Sequence, residues 1–124
     1  NALLIKAKSL ESTNAIDQAL SVYKQLMDNY KTEQGAEALY KIALLRHQKG
    51  EFALSNQLIF DNSQPFTQYA YWYGKQFIVL AQNYISLDEK FQAKATLESI
   101  IENASDETVK QEAETLLQTI NIAN

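Results

Sequence analysis

Apolar residues recur along this chain every three or four positions, the spacing that gathers them on one face of an α-helix, and they fall into seven segments. The first runs through Leu3, Leu4, Ala7 and Leu10 and stops near Glu11 to Thr13. Asn14 stands where an N-cap would open the second, with Asp17 three residues on, favourable near the positive helix end. That second segment carries Ile16, Ala19, Leu20, Tyr23, Leu26, Met27 and Tyr30. A third contains Ala36, Leu39, Ile42, Ala43 and Leu45 and ends at Lys49-Gly50, where glycine suits the left-handed residue that closes many helices. The fourth runs from Glu51 through Phe52, Leu54, Leu58, Ile59 and Phe60 to the clearest break in the chain, Asp61 to Pro65. Proline sits well just inside a new helix, so the fifth is expected from about Phe66 to Leu87, with Tyr69, Tyr73, Phe77, Leu80, Ala81 and Tyr84 as its stripe. Gly74 interrupts it, at ~1 kcal/mol relative to alanine unless a neighbouring helix must approach closely there. Asp88 is expected to begin the sixth (Phe91, Ala93, Leu97, Ile100, Ile101), and Ser105 or Asp106 the seventh (Val109, Ala113, Leu116, Leu117, Ile120).

The segments pair, and the pairs repeat. Ala7, Ala43 and Ala81 superimpose in the first helix of each pair, with separations of 36 and 38 residues (7 to 43, 43 to 81). Ala19, Ser55 and Ala93 superimpose in the second helix with the same two separations. Large residues follow the same register: Leu3, Leu39 and Phe77 before the first marker, Tyr23, Ile59 and Leu97 after the second. Small residues let the two helices of a pair approach, and large ones fill the gap to the next pair. Fold class is therefore all-α.

This pattern resembles the tetratricopeptide repeat, a helix–turn–helix unit of about 34 residues. Ala7, Ala43, Ala81, Ala19 and Ala93 match its small positions, and Lys49-Gly50-Glu51-Phe52 matches its turn, with Leu87 to Phe91 a variant lacking the glycine. The resemblance implies a right-handed α-solenoid of three hairpins, at about 2–32, 33–64 and 66–104, plus a capping helix at about 106–120, seven helices in one domain spanning 1–124. Ser55, Arg46 and Asn62 depart from the apolar preference in the second unit, and Pro65 is the one candidate for the proline that usually ends a unit. Phe77 to Tyr84 with Phe91 to Leu97 is similar to repeats of envelope-associated bacterial proteins, which implies the bacterial cell envelope, with the cytoplasm left open.

Composition narrows the chemistry. A net charge of −4 with no basic run argues against nucleic acid as a partner. The longest apolar run, Phe77 to Ala81, is far short of a bilayer span, so this segment is not expected to enter a membrane. Cysteine is absent, which removes disulfides, thiolate metal sites and a cysteine nucleophile. The abrupt start at Asn1-Ala2 reads as a segment cut from a longer protein, so the lack of a signal peptide says little about location. His47 is the only histidine, so two-histidine zinc motifs cannot form. Carboxylates are numerous but scattered, and neither a phosphate-binding glycine loop nor a G-x-S-x-G elbow occurs. No catalytic residue, metal or cofactor is expected, and the reading is a non-enzyme.

What remains is a surface for protein. In arrays that this chain resembles, the first helix of each unit lines a concave groove. The resemblance implies a row of Glu37, Tyr40, Leu44 and His47 in the second unit and Lys75, Ile78, Gln82 and Ile85 in the third, extended by Leu4, Lys8 and Glu11. The mixture suits an extended peptide or partner helix. Leu4 and Lys8 stand where the chaperone-gripping subfamily places lysine and asparagine, so a C-terminal carboxylate is disfavoured. Tyr71 and Trp72 lie off the packing stripe and form a candidate aromatic anchor, the alternative being Trp72 buried against the preceding connection. Two functions are expected: a module binding a peptide or protein segment in the groove, or a spacer of a longer solenoid that stacks on neighbouring repeats. In the second case Leu3, Leu4 and Ile5 of the first helix could mediate a homodimer.

Overall fold

A computed structural model describes residues 1–123. Helix α1 (Ala2–Ser12) turns back into α2 (Ile16–Asn29), α3 (Glu33–Gln48) into α4 (Phe52–Asn62), and α5 (Ala70–Ser86) into α6 (Lys90–Asn103); α7 (Glu107–Ala123) follows. Among the described residues there is no strand, and the architecture is a helical-repeat solenoid. No helix among them is long and apolar enough to cross a membrane.

The three hairpin turns are built alike. Two residues past the end of each first helix stands a residue with positive φ: Asn14 at 64°, Gly50 at 80° and Asp88 at 58°. The amide that follows it donates to a carbonyl five residues back, Ala15 to Leu10 at 2.8 Å, Glu51 to Arg46 at 2.9 Å and Glu89 to Tyr84 at 2.8 Å. This is the Schellman closure, which satisfies carbonyls that the helix end would otherwise leave unpaired. Asn14 is thus not an N-cap. It is the left-handed turn residue, and the N-cap of α2 is Ala15, which makes no side-chain capping bond. Asp88 likewise lies in the turn, and α6 begins at Lys90.

Helix α5 begins at Ala70, four residues later than the apolar pattern predicts. Pro65 instead lies in a 3-10 turn, Gln64–Phe66, which directs Phe66 to full burial in the first core. Room for that ring depends on Gly35. A Cβ there would meet the Tyr30 carbonyl oxygen at 1.8 Å and Phe66 Cε1 at 3.0 Å. Burying Phe66 stabilises by roughly 1.5–3 kcal/mol, which outweighs one more turn of helix. At the other end Asp106 Oδ1 accepts from the Val109 amide at 3.0 Å, capping α7.

All six small markers, Ala7, Ala43, Ala81, Ala19, Ser55 and Ala93, are fully buried. Ser55 keeps the close approach and adds a bond, its hydroxyl donating to the Ala43 carbonyl at 2.8 Å. The core runs along the stack in overlapping sections: one around Tyr23, Leu26 and Leu39, a middle one of Ala43, Ile59, Val79 and Leu80, and one around Ile78, Leu97 and Val109. Helix α7 closes the last section by lying against both α5 and α6, the position a further first helix would take.

Candidate functional site

Helices α1, α3, α5 and α7 share one face, and polar pairs step across it from helix to helix. Lys8 of α1 reaches Glu37 of α3 at 2.8 Å, and Lys41 of α3 reaches Glu11 of α1 at 3.6 Å. Glu11 also accepts the Tyr23 hydroxyl at 2.7 Å. Burial, together with that hydrogen bond to a carboxylate, holds the Tyr23 phenol well above its ordinary pKa.

Between α3 and α5 the contacts become aromatic. The rings of Tyr40 and Trp72 lie 5.6 Å apart, tilted at 41°, and Tyr71 meets Trp72 edge-on at 4.8 Å. Lys75 Nζ stands 5.5 Å above the Tyr40 ring and donates to both carboxylate oxygens of Glu112 on α7, at 2.8 and 3.0 Å. Burial raises the Tyr40 pKa, and the adjacent Lys75 ammonium only partly opposes it. Burial by itself would lower the Lys75 pKa; the Glu112 hydrogen bond and the surrounding tyrosines outweigh it, and the ammonium is held above its usual range. Trp72 is half-buried against the first core, whereas Tyr71 remains exposed. The arrangement is an aromatic shelf with charged flanks.

The other expected residues separate into groups. Leu44 and Gln82 are half-buried, and Ile85 is exposed at the far end of α5. Leu44 packs on the middle core. His47 turns toward a polar junction: Nδ1 lies 2.7 Å from Asn83 Oδ1, and its ring meets Phe52 edge-on at 5.1 Å. Ile78 is not a surface residue. It is 2% exposed and belongs to the core section that also holds Val109 and Ala113 of α7, because α7 covers α5 at that position.

Three participants escaped the sequence reading. Glu112 is one of three carboxylates on α7, and nothing local marks it as the partner of Lys75, 37 residues earlier. Gln76 and Asn83 are fully buried polar residues on α5. Gln76 donates to the Ala36 carbonyl at 2.9 Å, and Asn83 donates to Ser55 Oγ and Asn56 Oδ1, both at 2.8 Å. Their one sequence signal was phase: seven residues apart, they fall on the same apolar side of α5. Among the described residues no three histidine or acidic side chains converge as metal ligands would.

Comparison with known families adds one finding: residues 1–32, which form α1, α2 and the connection to α3, match a tetratricopeptide repeat model. Neither the curated proteins nor the solved structures provide a match. The chain thus carries a tetratricopeptide repeat, within an all-helical architecture of that type.

Proposed function

We propose that this tetratricopeptide-type stack is a non-catalytic module that takes an extended segment of another protein across the shared face of α1, α3, α5 and α7. Repeats of this family are commonly protein-interaction modules. The observation that carries the proposal is the shelf of Tyr40, Trp72 and Tyr71, three rings contributed by two helices. Aromatic side chains supply large contact area at low entropic cost and are enriched where interfaces bind most strongly. The Lys8–Glu37 and Lys75–Glu112 pairs flank the shelf and provide polar groups to orient a backbone. Leu44, His47, Gln82 and Ile85 would extend the surface toward the hairpin turns. The bacterial cell envelope is the location proposed for the module, a reading supported by the resemblance of Phe77 to Tyr84 and Phe91 to Leu97 to repeats of envelope-associated proteins.

Trp72 is the only tryptophan of the chain, so its emission reports on the shelf directly. Peptides selected from a display library against the protein should shift that emission on binding. Tyr71→Ala and Tyr40→Ala should weaken them by about tenfold or more, the usual loss at an aromatic hot spot, with helicity retained by circular dichroism. Selected peptides that bind both variants at full strength and leave Trp72 silent would remove this face from consideration.

A second reading, a spacer that stacks on neighbouring repeats or self-associates, is favoured by one observation. Ile5 of α1 is 69% exposed, while Leu3 and Leu4 beside it are half-buried against the core. Light scattering decides it: a stable dimer that Ile5→Lys dissociates supports stacking, and a monomer does not.

A further inference from the structure

On another side of α5, away from the aromatic shelf, α5 and α6 part to leave a cavity of about 610 Å³. At about 100° per residue, Ala70, Tyr73, Phe77 and Leu80 stand about 160° around the helix from Tyr71, Lys75 and Gln82, so the two surfaces are separate. The opening has a cause in the repeat. Thr96 of α6 occupies the register position of Val22 in α2 and Leu58 in α4 (22 to 58, 58 to 96). The first two hairpins fill that place with a branched apolar side chain, whereas threonine, of valine's size, brings a hydroxyl there. Ala95 and Ser99 beside it are short where the second hairpin has Gln57 and Asp61.

The lining has a definite chemistry. Its floor carries Tyr73 and Phe77, rings 4.9 Å apart at 50°, together with Leu80 and Ile100. Its rim is hydroxyl and amide, and no ionisable carboxylate, ammonium or imidazole belongs to it. The Thr96 hydroxyl donates to the Gln92 carbonyl at 2.8 Å, and the Asn103 amide donates to the Ser99 carbonyl at 3.0 Å. These rim groups are satisfied within α6 and require no charged guest. An ionised ligand would lose hydration here without gaining a counter-charge, which disfavours it against a neutral one.

We infer that this cavity is a binding site for a neutral, largely apolar small molecule with one or two uncharged polar groups. Its volume falls in the range of small-molecule sites, about 300–1,000 Å³, and its composition follows the same pattern of apolar and aromatic walls with a few polar groups. The site is independent of the protein-binding face.

A matched pair of fluorescent probes tests this: N-phenylnaphthylamine, which is neutral, and anilinonaphthalene sulfonate, which adds a sulfonate to the same rings. The neutral probe should saturate at one per chain and bind roughly tenfold or more tighter than the sulfonate, reflecting the cost of an unpaired buried charge. Ala95→Phe, at an exposed position on the cavity wall, should weaken it by about tenfold or more by filling the mouth. Ala53→Phe, exposed on α4 outside the cavity, should leave it unchanged. Unsaturable binding, equal binding of the sulfonate, or indifference to Ala95→Phe overturns the inference. Should Ala95→Phe lose helicity, amide NMR shifts in the unmutated protein decide. Probe-induced shifts centred on Phe77 and Ser99 uphold the site, and shifts centred elsewhere overturn it.

Discussion

His47 Nδ1 lies 2.7 Å from Asn83 Oδ1, and the direction of that hydrogen bond follows from what surrounds Asn83. Ser55 donates its hydroxyl hydrogen to the Ala43 carbonyl, so toward Asn83 it can only accept. The Asn83 amide nitrogen must therefore face Ser55, and it reaches Asn56 Oδ1 as well. That leaves the Asn83 oxygen for His47, whose Nδ1 must carry the hydrogen. One buried amide thereby joins α3, α4 and α5.

Asn83→Ala should accordingly destabilise the protein by about 2–4 kcal/mol, because it leaves buried partners unpaired as well as opening a small cavity. Urea unfolding followed by circular dichroism measures this. A loss under about 1 kcal/mol would mean that water replaces the amide and that the junction does not act as a unit.

Gly74 and Val109 form a close contact between α5 and α7. A Cβ on residue 74 would approach Val109 Cγ1 to 2.6 Å and Cγ2 to 3.0 Å, and a β-branched side chain has little freedom to withdraw. Gly74→Ala is expected to cost about 1–3 kcal/mol despite its better helix propensity. Adding Val109→Ala should recover part of that loss. A double-mutant cycle in thermal unfolding checks the coupling, and simple additivity would contradict it.

Tyr23 gives the fold an alkaline limit. Its pKa is raised in the folded protein from an ordinary 10.0, so the stabilisation is complete below about pH 10 and is lost as pH rises beyond it. Tyr23→Phe should cost about 1 kcal/mol at neutral pH through the lost bond to Glu11. The same substitution should flatten the decline in stability above about pH 10. Denaturant midpoints of both proteins across that range provide the comparison, and parallel curves would assign the alkaline limit to another group.

The turns supply a gain in stability. Asp88 holds φ at 58° where the equivalent residue of the middle hairpin is Gly50. Asp88→Gly should stabilise by up to about 1 kcal/mol, since glycine meets no Cβ penalty in the left-handed region. Gly50→Ala should lose about 1 kcal/mol, with conformation the sole cause because no atom lies within 4 Å of the added Cβ. Differential scanning calorimetry of the two variants should show melting temperatures moving in opposite directions.

Much of the helical pattern and its period was legible before any coordinates, because a helix imposes a spacing of 3.6 residues on whatever it buries. Ala7, Ala43, Ala81, Ala19, Ser55 and Ala93 announced the close crossings, and all six are buried there. Boundaries were less legible where two local rules competed. Asn14 is chemically suited both to an N-cap and to a left-handed turn, and the hairpin closure required the turn. Phe66 had the right phase to start α5, yet its burial under α3 took precedence over helix continuation.

By itself, then, the sequence determined the helices, their pairing and which side of each carries the core, since these follow from periodicity within one or two turns. Tertiary structure decided which side chains meet. Lys75 with Glu112, Tyr40 with Trp72 and His47 with Asn83 are separated by more than thirty residues, and helical phase alone cannot specify them. Ile78 and Tyr40 occupy the same register in successive hairpins, but α7 buries Ile78 while Trp72 and Lys75 leave Tyr40 partly open. A residue's phase states the direction it faces; only the packing of the next helix determines whether anything covers it.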